Sequence, residues 1–104
     1  GTVAARQEAL VRVRYGYPSP VRGAALSILR RAATRGALSA DVFLPLLQDR
    51  NIWLRNSAIA ALGDSGGEHV LPSLDALAAD AKNPSAATAK RNAEKIRQRC
   101  RTGE

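Results

Sequence analysis

Apolar residues recur three and four positions apart along the whole chain, and no stretch alternates apolar with polar long enough to make a strand. The pattern predicts an all-α protein. Glycine, proline, asparagine and serine divide it into six helices. Thr2 caps the first, which runs to about Arg14 and ends at Tyr15-Gly16-Tyr17-Pro18. Ser19 caps the second, with Pro20 at the first helical position, where a missing N–H costs nothing; this helix runs to about Thr34 and stops at Gly36. Ser39 and Asp41 open a third helix that ends near Gln48. Asp49-Arg50-Asn51 is a short connector with two capping side chains, and the fourth helix continues from about Ile52 to Leu62. Gly63-Asp64-Ser65-Gly66-Gly67 is expected to be a loop. A fifth helix runs from about Glu68 to Ala81, and Asn83-Pro84 opens a sixth that lasts to about Arg101.

Connections this short make neighbouring helices antiparallel, so the six form three pairs. The pairs repeat. Val21-Arg22, Ala25-Leu26 and Leu29 of the second helix superpose on Leu54-Arg55, Ala58-Ile59 and Leu62 of the fourth with a shift of 33 residues. Ala89-Lys90 and Ala93 continue the series at a shift of 35, with Arg97 where the leucine would stand. In the preceding helices, Leu44-Pro45 with Leu47 matches Leu71-Pro72 with Leu74. The repeats fall at about 2–35, 37–64 and 66–101, within a single domain over 1–104. With only four aromatic residues (Tyr15, Tyr17, Phe43, Trp53), the core must be aliphatic and rich in alanine.

A helix bearing Leu-Pro and a further leucine, then an aspartate, then a helix opening with apolar-Arg-x-x-Ala, resembles the HEAT repeat family and its shorter HEAT-like variants. The period is shorter than the usual HEAT unit and on length alone also suits tetratricopeptide-like pairs. Their motif of small and aromatic residues is absent. The HEAT resemblance implies a right-handed α-α superhelix, a solenoid of about three stacked pairs whose second helices line the concave face. It also implies that the aspartate and arginine flanking the turn hold adjacent repeats together. The matching residues are Asp49 with Arg55, Asp80 with Lys90, and Arg22 in the first repeat, whose turn supplies no aspartate. A narrower resemblance covers Tyr15-Gly16-Tyr17-Pro18-Ser19-Pro20-Val21-Arg22-Gly23-Ala24-Ala25 and then Asp49 to Leu62, with Asn51-Ile52-Trp53-Leu54-Arg55. These stretches look like the HEAT-like C-terminal region of zinc aminopeptidases of the membrane-alanyl-aminopeptidase type. In that family an HExxH helix of a separate domain binds zinc, and this chain has one histidine.

The formal charge is +7 and is unevenly placed. Residues 1–35 carry seven basic groups against Glu8, residues 36–89 three against six acids, and residues 90–104 six against Glu94 and Glu104. Cationic ends favour anionic partners of any kind: nucleic acid, acidic protein or lipid headgroups. The longest apolar run, 58–62, is far short of the ~18–20 residues a spanning helix needs, so no membrane insertion is expected. A single cysteine, Cys100, allows no internal disulfide and suits a reducing, cytoplasmic setting. Without any methionine, Gly1 is not a translational start, and the sequence reads as part of a longer or processed chain.

Candidate chemistry is sparse. His69 reads as an exposed residue in the first turn of the fifth helix, and the aspartates lie mostly at helix ends, where they cap. Gly63, Gly66 and Gly67 lack the strand and the Lys-Ser/Thr of a phosphate loop. No cofactor or metal is expected, and the chain is not expected to be an enzyme by itself. Cys100 lies on the inward stripe Ala86, Ala89, Ala93, Ile96 of the last helix. Trp53 is expected to pack in the core or between repeats, with anchoring of a partner as the alternative. The last helix exposes Lys90, Arg91, Lys95, Arg97, Arg99 and Arg101, of which Arg91, Lys95 and Arg99 form a row four apart. That row reads as the solvated face of a terminal repeat, or else as a track for a phosphate backbone. The expectation is a non-catalytic scaffold or protein-interaction module, as the aminopeptidase resemblance also implies; the alternative is a nucleic-acid-binding module using the basic last helix.

Overall fold

The computed structural model describes residues 3–14 and 16–102, so the cap Thr2 and the stop residue Tyr15 lie outside the described residues. The regular elements are all helical: α1 (Val3–Arg12), α2 (Ser19–Thr34), the 3-10 helix η1 (Ala40–Gln48), α3 (Ile52–Ser65), the 3-10 turn η2 (Glu68–Val70), α4 (Leu71–Ala79) and α5 (Ala86–Arg101). The chain divides into two compact units, Gly1–Ser39 and Ala40–Glu104. In the first, α1 packs on α2; in the second, η1 packs on α3, α4 on α5, and α3 also on α5.

In the first unit α1 ends two residues earlier than the pattern predicts, and Gly16 at φ +108° turns the chain through a conformation that other residues rarely adopt. Ser19 is the first residue of α2 rather than its cap. Extended Pro18 precedes it, and no side chain caps the helix. Prolines at 18 and 20 preset the entry geometry that a cap otherwise supplies. At the far end, Gly36 at φ +75° donates to the Ala33 carbonyl at 3.0 Å and Ala37 to Ala32 at 2.9 Å. These two bonds form a Schellman stop and satisfy the last carbonyls of the helix.

In the second unit the third helix winds as 3-10 rather than α. Pro45 inside it has no N–H to return to Asp41, and in an α-helix its ring would crowd that carbonyl. Asn51 caps α3, its side-chain oxygen accepting from the backbone N–H of Trp53 at 2.9 Å and of Leu54 at 3.3 Å. The expected loop at residues 63–67 is largely helix, because α3 continues through Gly63 to Ser65. Gly63 is a spacer and not a breaker: a Cβ there would lie 2.0 Å from Oδ1 of Asn92 on α5. Gly66 is the stop, bonding back to the Leu62 carbonyl at 2.7 Å. The expected fifth helix is η2 followed by α4 and ends at Ala79. The last helix begins at Ala86, because Asn83 folds its side-chain oxygen onto the Ser85 N–H at 2.9 Å and spends Pro84 in a turn. The core of this unit is aliphatic around the single phenylalanine, with Phe43, Ile59, Leu62, Leu74 and Ile96 fully buried. Each contributes about 1.5–3 kcal/mol of burial free energy.

Candidate interaction surface

The arginines near the starts of α2 and α3 hold the turn that precedes their own helix. Arg22, buried to 3 % exposure, donates from Nε to the Val13 carbonyl at 2.8 Å. Arg55, at the equivalent place in α3, donates from Nη1 to the Asp49 carbonyl at 2.7 Å. Its Nε donates to Ser85 Oγ at 2.7 Å, and that hydroxyl donates to Asn56 Oδ1 at 2.7 Å. Arg55 therefore grips Asp49 through the main chain and reaches across to the following repeat. The Asp49 carboxylate accepts from the Asn51 N–H at 2.9 Å. Asp80 and Lys90 are both exposed, and Asp80 accepts from the Lys82 N–H at 3.2 Å. Ser85, fully buried, is the inter-repeat partner that sequence reasoning missed. Its signal was hidden in Asn83-Pro84-Ser85, which reads as a helix start.

The cations of the last helix are mostly engaged within the chain. Lys95 pairs with Asp64, and Arg97 donates to Asp75. The Asp75 hydrogen bond raises the Arg97 pKa and holds the guanidinium charged, against a smaller lowering from burial. Arg99 donates to the Gly63 carbonyl at 2.8 Å and to the Gly66 carbonyl, placing a cation on the negative end of α3. Arg101 donates to Glu94 at 2.7 Å and Arg91 to the Thr88 hydroxyl at 3.4 Å, while Lys90 is exposed. Arg91, Lys95 and Arg99 do stand along one edge of α5. Lys95 and Arg99, however, are turned onto the end of α3.

Trp53 is 80 % exposed, which corrects the expectation that it packs in the core or between repeats. The cap geometry explains the difference: Asn51 fixes the start of α3 so that Leu54, Ala58 and Ile59 point inward, and Trp53 falls outside that stripe. Val3, Val11 and Tyr17 are also exposed. Cys100 is half-buried, and burial with the Glu68 carboxylate beside it pushes its thiol up, away from the reactive thiolate. His69 is exposed, with Nε2 against Asp41. Among the described residues no cluster of His, Cys, Asp and Glu could hold a metal ion, and no helix is long and apolar enough to cross a membrane.

Helix pairs joined by short turns, with α3 and α5 packed on each other in the second unit and an arginine at the same place in α2 and α3, define an all-α helical-repeat protein. A family model for HEAT repeats matches residues 8–93, and the chain belongs to the HEAT-repeat family. No curated protein and no solved structure matches it. HEAT repeat domains are typically non-catalytic and commonly serve as protein-interaction scaffolds. The narrower resemblance to zinc aminopeptidases gains no support from these comparisons.

Proposed function

We propose that this chain is a non-catalytic module that binds a protein partner, with Trp53 as an anchor. The observation that carries the reading is the exposure of Trp53 on a helix whose opposite face is buried. Tryptophan dominates binding energy out of proportion to its frequency, and a large exposed aromatic ring loses unfavourable hydration when covered. The intramolecular partners of Lys95, Arg97, Arg99 and Arg101 favour this reading over a nucleic-acid track along the last helix. In the same reading Arg22, Asp49, Arg55, Asp80 and Lys90 serve the repeats themselves. As the C-terminal accessory domain of a zinc aminopeptidase, the finer form suggested by the sequence resemblance, the module would present Trp53 to the catalytic domain.

The test is capture by the immobilised chain, with and without Trp53→Ala, from a nuclease-treated extract and from an untreated one. A protein retained in both, and weakened about 30-fold or more by the substitution, is the expected result, corresponding to the roughly 2 kcal/mol of a hot-spot residue. Retention of nucleic acid alone, released by raising salt, overturns it.

A further inference from the structure

Thr34 is the last residue of α2 and is exposed, its hydroxyl donating to the Arg30 carbonyl at 3.0 Å. Arg30 and Arg31 stand four and three residues before it and so share its side of the helix, and Arg35 follows it. Together with Ser27 these side chains line one shallow hollow. The first unit holds no carboxylate to balance the cluster: Glu8 is the one acid in residues 1–39, and it pairs with Arg12. Among the described residues, neither Arg31 nor Arg35 has a side-chain partner. The last carbonyls of α2 are already satisfied, that of Arg31 by the Arg35 N–H at 3.1 Å and those of Ala32 and Ala33 by the Schellman stop. A negative group placed here therefore meets guanidinium groups rather than free carbonyls. Residues 35–39 are turn and bend, so Thr34 leads out of a helix end, where fraying is easiest. Its exposure does not depend on where the sequence begins. Thr102 holds the same place 68 residues on and is exposed although α3 packs against α5.

We propose that Thr34 is a phosphorylation site for a protein kinase that selects arginine three residues before its acceptor. The Thr34 hydroxyl oxygen attacks the γ-phosphorus of a nucleoside triphosphate, and the bond from that phosphorus to the β–γ bridging oxygen breaks. The hydroxyl proton passes to the kinase's base and a nucleoside diphosphate leaves. Arg31 supplies the guanidinium that the acidic pocket of such an enzyme reads, and Arg30 adds a second one residue further back. Thr102 also has an arginine three residues before it, but Arg99 is held by the carbonyls of Gly63 and Gly66, and the neighbouring Arg97 and Arg101 by Asp75 and Glu94. Thr34 is the acceptor whose cations are open both to an enzyme and to the phosphate it leaves behind. Once in place, that phosphate meets the same arginines through charge-assisted hydrogen bonds. It carries about two negative charges and brings a cluster of three cations close to neutral, so this helix end no longer attracts an anionic partner. The site stands whether or not Trp53 anchors a protein.

The test incubates the full chain with magnesium, ATP and a purified kinase directed by arginine at the third residue before its acceptor, beside a peptide of residues 27–39. We expect close to one phosphate per chain, mapped to Thr34 by fragmentation mass spectrometry. Incorporation should be abolished in Thr34→Ala, retained in Thr34→Ser, at least tenfold slower in Arg31→Ala and unchanged in Thr102→Ala. Melting curves check that each variant keeps the fold. By phosphorus NMR, the phosphate of the folded chain should lose its second proton at lower pH than in the same chain unfolded in urea, because Arg31 and Arg35 favour the dianion. Arg35→Ala, which leaves Arg31 for the kinase, should shrink that difference. Modification of the peptide but not of the folded chain, of Thr102 in preference to Thr34, or of neither chain nor peptide overturns the proposal, as does a phosphate on Thr34 that titrates identically folded and unfolded.

Discussion

Gly63 and Gly23 occupy helix interiors in opposite circumstances. A Cβ at Gly63 collides with Asn92, whose side chain is held by its own bond to the Thr88 carbonyl at 2.8 Å, whereas a Cβ at Gly23 meets nothing within 4 Å. Gly63→Ala is therefore expected to destabilise by about 1–3 kcal/mol through overpacking. Gly23→Ala should stabilise by about 0.5–1 kcal/mol through helix propensity. Urea denaturation midpoints of the two variants, which should move in opposite directions, check this. Asn92→Ala should recover part of the Gly63→Ala loss in a double-mutant cycle. Cys100 gives a second prediction at this scale. Because burial and Glu68 raise its pKa, the thiolate fraction at neutral pH is lower than for a free cysteine. Alkylation should be slow at pH 7, quicken as pH rises, and quicken at fixed pH in Glu68→Gln.

The junction between α3 and α5 depends on groups drawn from elements about thirty residues apart. Ser85→Ala deprives both Arg55 Nε and Asn56 Oδ1 of a partner in a half-buried setting and should cost about 1–3 kcal/mol. Arg99→Ala releases the last carbonyls of α3 to solvent. It should accelerate amide hydrogen exchange at residues 63–66 selectively, with a smaller effect at the start of the helix. The repeat shift, a local pattern that survives in one dimension, places Arg22 and Arg55 near the starts of α2 and α3. It did not reveal Ser85, or that Arg55 uses the Asp49 carbonyl, because a guanidinium can reach several acceptors and folding alone selects among them.

At the scale of the whole molecule, the formal charge of +7 is already net of every carboxylate, and on the last helix Lys95, Arg97 and Arg101 are each paired with one of those carboxylates. Any binding to duplex DNA should be weak and lost on raising salt from about 50 to 200 mM, since each phosphate neutralised adds only ~0.9 to the log–log salt slope. Lys90→Ala with Arg91→Ala should reduce that slope by no more than about 2, as filter binding across a salt series would show. The helical class, the pairing of helices and the alanine-rich aliphatic core were all determined by the sequence itself. Each follows from the spacing of apolar residues and punctuating glycines and prolines along one segment. Only the tertiary structure decided that Gly63 lies within a helix, that Trp53 faces solvent, and that Lys95, Arg97 and Arg99 of the last helix bind groups of α3 and α4. In each case the deciding atom belongs to a neighbour far along the chain, or to a cap that sets which way a helix faces: Asn92 for Gly63, the Asn51 cap for Trp53, and the exposed carbonyls and carboxylates at the end of α3 and along α4 for the arginines.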